Sequence, residues 1–281
     1  MKPARFDIYQ PRELETALEL LARHGGDAKI LAGGQSLVPL MNLRMATPAM
    51  LIDINRVAGL SGVRRDDGRI RIGAMTRQKA LLGDDLIAQH TPLLAKAMLH
   101  VGHVQTRSRG TVGGSLAHAD PAAELPLVMV TLDAAFTVQS VRGTRTVAAR
   151  RFFRDALTTD LAPDELLAEI HVPVAPVGSR TAFREFARRH GDFAIAAAGV
   201  QRSANGATLA AGLGGVGAVP HFCARLTGAD AGRSDRRGLD ELVRAEIQDI
   251  VPLSDQHASA DYRRVLAALA LTDCLEEVLR P

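Results

Sequence analysis

Apolar positions along the chain switch between a period near two and a period near 3.6, and each switch marks an element. Phe6 and Ile8 predict a short strand leading through Pro11 into a helix. That helix carries Leu14, Ala17, Leu18 and Leu21 on one face, and Gly25-Gly26 ends it. Lys29 to Ala32 predicts a buried strand broken by Gly33-Gly34, followed by a helical run over Ser36–Met45 and a strand over Met50–Ile54. A second region starts near Val57. Ile70, Ile72 and Ala74 alternate as in a strand, with Thr76 placed to cap the next helix. Leu93–Val101 is helical in pattern, Thr111–Ser115 reads as a glycine-rich loop, and Pro121–Leu132 is again helical. Ala135–Val141 and Thr144–Ala148 predict a hairpin across Arg142-Gly143, and Leu166–Val172 a strand stopped by Pro173.

Pro173, Pro176 and Gly178 form a natural linker. Beyond it, strands are predicted over Phe183–Arg188, Ile195–Gln201 and Thr208–Val216. The Asn205-Gly206 pair turns the second into the third. The polar run Ala229–Gly238 predicts an exposed loop, and Arg263–Leu279 a closing helix. The chain divides on this reading into residues 1–56, 57–177 and 178–281.

Composition narrows the function. Hydrophobic residues make up 47% of 281, which supports a substantial core, although aromatics are only 4% and Trp is absent. The net charge of +3 is spread along the chain, with no basic stripe of the kind that binds nucleic acid and a balance that suits a small anionic ligand. Cys223 and Cys274 lie far apart with no neighbouring cysteine, which excludes zinc ribbons and iron–sulfur clusters built from this chain alone. They are predicted to be reduced, partly buried thiols of a cytoplasmic protein. No run of about 18 apolar residues is present to span a bilayer. His100 and His103 lack a third ligand at metal-site spacing, so no metal ligand is predicted.

Candidate chemistry rests on two glycine segments, Ala32-Gly33-Gly34-Gln35-Ser36 and Thr111-Val112-Gly113-Gly114-Ser115. Glycine lets a backbone approach a ligand closely, so that successive amide N–H groups converge on an anion. Ser36, Thr111 and Ser115 add hydroxyls, and a helix starting at Ser36 would add free N–H groups. Neither segment is a P-loop or a GxGxxG fingerprint, and a Gly-Gly-x-Ser stretch is also an ordinary turn. Two such segments around one site would suit a pyrophosphate.

The run from Lys29 to Arg44 (KILAGGQSLVPLMNLR) resembles the first FAD-binding motif of the medium subunit of molybdenum hydroxylases of the carbon monoxide dehydrogenase and xanthine dehydrogenase type. Residues 109–126 (RGTVGGSLAHADPAAELP) resemble the second. The opening Phe6–Pro11 and the later Arg188–Phe193 match as well, so the resemblance covers essentially the whole chain. It implies an α+β fold: a two-part FAD-binding region of the vanillyl-alcohol-oxidase type plus a small C-terminal α+β domain.

Carried over, the resemblance implies that Lys29, Ile30, Leu31, Ala32, Gly33, Gly34, Gln35 and Ser36, together with Thr111, Val112, Gly113, Gly114 and Ser115, wrap the FAD pyrophosphate and ribityl. Val101 takes a flavin-contacting position, Glu124 accepts from FAD hydroxyls, Leu167 packs on the rings, and Arg184 supplies a basic group. Asp192 and Phe193 reach the flavin, with Phe193 standing where relatives often have Tyr; the ring can stack but has no hydroxyl. On residues alone, Val101 and Leu167 are also core positions, Glu124 a first-turn helix acid and Arg184 a solvated strand residue. The partners implied are a small subunit with [2Fe–2S] clusters and a large subunit with the molybdenum cofactor; no catalytic residue for the organic substrate is expected here. A free-standing flavin oxidoreductase of the same fold and a non-catalytic nucleotide-binding assembly protein are the alternatives.

Overall fold

The computed structural model describes residues 2–227 and 236–280. The chain opens with β1 (Asp7–Tyr9), α1 (Leu14–His24), β2 (Ala28–Leu31), α2 (Leu37–Asn42) and β3 (Met50–Asp53). Both β1 and β2 pair in parallel with β3, giving the order β1-β3-β2. A parallel pair needs a crossover, which α1 supplies. Its Ala17, Leu18 and Leu21 are buried against the sheet, and Gly25 at φ 46° ends it as the Gly-Gly pair predicts.

Next come β4 (Val63–Asp66), β5 (Arg69–Gly73), α3 (Gln78–Leu81), α4 (Asp85–His90), α5 (Pro92–Met98), α6 (Val104–Arg109), α7 (Val112–His118) and α8 (Glu124–Thr131). They are followed by β6 (Ala135–Ser140), β7 (Gly143–Ala148), α9 (Ala149–Phe152), β8 (Phe153–Asp155), β9 (Thr158–Thr159) and β10 (Leu166–Pro173). Five of these strands form an antiparallel sheet, β4-β5-β10-β6-β7, and β8 and β9 form a small ribbon. Helix α8 is buried at every position, so it runs through the core rather than along its surface. Leu166 and Ala168 of β10 join Ile52 of β3 and Leu18 of α1 in one apolar cluster, which welds the first two sheets together.

The last part holds β11 (Arg180–Phe186), β12 (Ala196–Arg202), β13 (Leu209–Gly214), β14 (His221–Phe222), α10 (Arg236–Gln248) and α11 (Ala260–Leu279). Its strands form an antiparallel sheet in sequence order. Strand alternation sends Ala182, Ala198 and Val200 toward α11, and Phe183 and Ala197 into the core shared with α8. The architecture is α+β, as the sequence predicts. No helix among the described residues is long and apolar enough to cross a membrane.

Four local expectations need correction. Thr76 does not cap a helix: its hydroxyl exchanges hydrogen bonds with the Gly62 backbone, and α3 starts after Arg77 with no side-chain cap. Val112–Ser115 is the first turn of α7 rather than a loop. Both cysteines are fully buried, not partly. The polar run Ala229–Gly238 falls largely outside the described residues, and its last three residues already belong to α10.

Candidate functional site

The first glycine segment leaves the C-terminal end of β2. Gly34 takes φ +74°, a left-handed turn that suits glycine, and α2 begins three residues later. Among the described residues, no backbone hydrogen bond takes up the amide N–H groups of Gly33, Gly34, Gln35 or Ser36. Four successive donors on a turn that opens from a strand end are a ready anion cradle. Gln35 is exposed, Gly33 is buried, and Lys29 stands exposed on the strand below.

The second segment is built differently. Thr111 is the N-cap of α7, and its hydroxyl accepts from the Gly114 N–H at 3.1 Å. Val112 N–H donates to Thr76 at 3.0 Å, Gly113 N–H to Ala74 at 2.8 Å and Ser115 N–H to Thr111 at 3.1 Å. These amides are already used inside the protein, so the second segment does not offer the row of free amides that its glycines suggest. The glycines of the second serve close approach instead. A Cβ at Gly113 would collide with Ala74, and one at Gly114 would lie 2.6 Å from the Thr111 hydroxyl and 3.6 Å from the Ala32 Cβ.

Those distances also show that the two segments meet. A Cβ on Gly33 would fall 2.5 Å from the Arg109 carbonyl oxygen and 2.8 Å from the Gly110 Cα. Asn55 and Arg77, which sequence reasoning missed, tie the contact together. Asn55 Nδ2 donates to the Ala32 carbonyl at 2.8 Å and to Asp53 at 2.6 Å. Arg77 donates to Asn55 Oδ1 at 2.6 Å and to the Arg109 carbonyl. Burial opposes ionisation of Asp53, but hydrogen bonds from Asn55 and Gln10 and the charge of Arg56 outweigh it and hold the carboxyl below its ordinary range. A polar Asp-x-Asn pair at the end of a buried strand was the available signal for Asn55; nothing local pointed to Arg77.

The remaining predicted residues fall into three places. Val101 is buried, and Arg107 donates to its carbonyl at 2.7 Å. Glu124 opens α8 with only 5% exposure. Burial pushes its carboxyl up to about 7, with Asp120 adding to the effect and Arg107 opposing it. The stretch ahead of α8 holds the Arg188–Phe193 segment, since Ala194 N–H donates to Ala122. Gly191 packs on the His103 ring, Asp192 is half-buried, and Phe193 is 58% exposed. Val101, Glu124, Asp192 and Phe193 are thus drawn toward one end of α8. Leu167 is buried in the central core on β10, against which α7 packs. Arg184 is engaged elsewhere, paired with Glu277 of α11 at 2.6 Å.

A second buried carboxyl, Glu185, was not anticipated. It is pushed up to about 8, by burial first and by Glu124 second, and its Oε2 finds no partner among the described residues. Two carboxyls that hold their protons up to about pH 7 and about pH 8 can offer hydroxyl donors as well as acceptors.

The donor set fits the phosphate end of a dinucleotide: free amides on one segment and a second segment pressed against it. Residues 4–175 match the family described as the FAD binding domain in molybdopterin dehydrogenase, and residues 181–278 match the CO dehydrogenase flavoprotein C-terminal domain. The chain is 43% identical to the 6-hydroxypseudooxynicotine dehydrogenase complex subunit alpha of Paenarthrobacter nicotinovorans, over 94% of this chain and 90% of that one. It is 36% identical to the carbon monoxide dehydrogenase medium chain of Afipia carboxidovorans, over 98% and 97%. Among solved structures, a carbon monoxide dehydrogenase from Hydrogenophaga pseudoflava superposes with a TM-score of 0.94 at 34% identity, covering 99% of this chain and 98% of that one. This chain belongs to the family of FAD-binding medium subunits of the molybdenum hydroxylases.

Proposed function

We propose that this chain is the electron-transfer subunit of a three-part molybdenum hydroxylase. It receives electrons from the [2Fe–2S] clusters of a small partner, holds them on FAD and passes them to an external acceptor. A large partner carries the molybdenum cofactor and the organic substrate. The observation that carries this reading is the contact of Gly33 with Arg109 and Gly110, with the amides of residues 33–36 left free beside it.

FAD supplies the redox chemistry when bound; the chain's residues bind, orient and enclose it. Lys29–Ser36 would take the pyrophosphate on backbone amides, with Thr111–Ser115 as the opposing wall and the Ser36 and Ser115 hydroxyls as further donors. Glu124 would face the ribityl hydroxyls, and its raised pKa lets it donate or accept near neutrality. Val101, Leu167, Asp192 and Phe193 would border the isoalloxazine, with Arg184 at the margin. The division at residues 56 and 177 and a cytoplasmic location belong to the same reading. The two relatives described above carry different substrate names, which agrees with a substrate site in another subunit.

Native mass spectrometry of material from the source cell tests the assembly. It should find this chain with a small iron–sulfur chain and a large molybdenum chain. Substrate-dependent flavin reduction by the purified single chain would overturn the reading in favour of a free-standing flavoenzyme.

A further inference from the structure

His221 and Cys223 lie two positions apart along β14 and its extension, so they point to one face of the strand. Phe222 points to the other, where the Arg150 guanidinium sits 3.4 Å from its ring centroid. The strand is held in register by Leu213 opposite His221 and by Cys223 N–H donating to Ala211 at 3.0 Å. Against the first face lies α10, whose inner residues Val243 and Ile247 join Cys223 in the apolar core, with Ile250 just beyond the helix. Glu246 projects from that same inner face and is only 2% exposed.

One imidazole nitrogen, one thiol sulfur and one carboxylate oxygen therefore come within 4.8 Å of one another. His221 Nε2 and Glu246 Oε1 are 3.2 Å apart. In tetrahedral zinc sites the metal lies about 2.3 Å from sulfur and about 2.0–2.2 Å from nitrogen or oxygen, which sets donor–donor edges of roughly 3.3–3.8 Å. The present spread closes to that geometry with side-chain shifts of about 1 Å. Glu246 and Cys223 are buried, whereas the His221 side chain is 27% exposed. The imidazole also lines a cleft of about 310 Å³ with Pro220, Phe222, Asp249 and Val251, so it is reached from solvent.

We propose that His221, Cys223 and Glu246 form a zinc-binding site that clamps β14 to α10. The thiol proton leaves to solvent as the zinc–sulfur bond forms, and the thiolate and carboxylate then balance the two charges of the cation. Without the cation, Glu246 keeps His221 at 3.2 Å and the Arg225 backbone N–H at 3.3 Å, and the Arg225 guanidinium, which also pairs with Asp249, lies 3.7 Å from its Oε2. None of the three residues belongs to the glycine segments, so zinc should raise thermal stability without changing flavin content.

The test uses the full-length chain without an affinity tag. Zinc is titrated in competition with a chromophoric chelator, and the bound metal is read by zinc K-edge X-ray absorption, which flavin does not obscure. One zinc per chain with a single sulfur neighbour is expected. That sulfur should vanish in Cys223→Ser and persist in Cys274→Ser, whose thiol is equally buried. His221→Ala removes a partly exposed ligand and should still fold; its zinc affinity should fall at least as far as the about 10–100-fold that loss of an outer-shell partner costs. No stoichiometric zinc, a shell of nitrogen and oxygen only, or an affinity unchanged in His221→Ala would overturn the proposal.

Discussion

Gly33 stands so close to Gly110 that a Cβ on it would fall 2.8 Å from the Gly110 Cα. The contact joins two segments far apart in sequence, and it works only because one partner has no side chain. It sets both the separation of the segments and the direction of the free amides at residues 33–36.

Gly33→Ala should therefore push the segments apart. Overpacking of this kind costs about 1–3 kcal/mol and displaces backbone, so most bound FAD should be lost from a chain that still folds. Gly26→Ala is the control, since a Cβ there meets nothing within 4 Å. The flavin-to-protein ratio after gel filtration measures both; equal retention in the two variants would show that the contact does not shape the site.

Much of this was legible in the sequence wherever the cause is local. The α1 face, its stop at Gly25 and the β6–β7 hairpin follow from periodicity and turn residues within a short window. Helix α6 was missed because Val104–Arg109 has one apolar residue and buries none. Glycine is a poor helix former, so Gly113-Gly114 read as a loop, yet the Thr111 cap and the close approach to Ala74 make it a first turn. Both glycine segments could be named as candidates, but not their meeting, since Asn55 and Arg77 join them across the fold. His221 and Cys223 escaped notice because their third partner, Glu246, lies on a separate helix.

Glu124 and Glu185 make stability depend on pH in a definite direction. Their ordinary value is 4.5, and in the fold they rise to about 7 and about 8. Between about 4.5 and 8 the folded chain keeps protons that the unfolded chain has released, so stability falls as pH rises through that window. At about 1.4 kcal/mol per pKa unit, Glu124 accounts for a loss on the order of 3–4 kcal/mol. Urea midpoints of FAD-free protein across the window should decline, and the Glu124→Gln, Glu185→Gln double variant should flatten the profile. A rise with pH in the parent protein contradicts the assignment.

Phe193→Tyr should alter flavin redox behaviour more than affinity. The ring is 58% exposed in the segment placed beside α8, free to meet a ligand. A new phenol hydrogen bond contributes about 0.5–1.5 kcal/mol, equivalent to roughly 10–30 mV on a two-electron couple. Spectroelectrochemical titration at full FAD occupancy reads this directly. An identical potential and oxidation rate would place the residue away from the redox ring.

Arg184 raises a competition that a double-mutant cycle resolves. Glu277 on α11 binds Arg184 at 2.6 Å and Lys96 at 2.9 Å, linking α5, β11 and α11 through one carboxylate. The Lys96 hydrogen bond, against burial and with help from both charges, holds Glu277 below its ordinary range. Its contribution is therefore present above pH 4.5 and lost as pH falls through the lower folded value. All three side chains are partly exposed, so the Arg184–Glu277 coupling should be only about 0.5–1 kcal/mol in FAD-free protein. The cycle uses Arg184→Met, Glu277→Gln and the double variant, measured by urea unfolding. If the guanidinium also serves FAD, it must leave Glu277 to do so, and the coupling should shrink when FAD is bound. A coupling that is the same with and without FAD would remove Arg184 from the cofactor site and leave it as a clasp between β11 and α11.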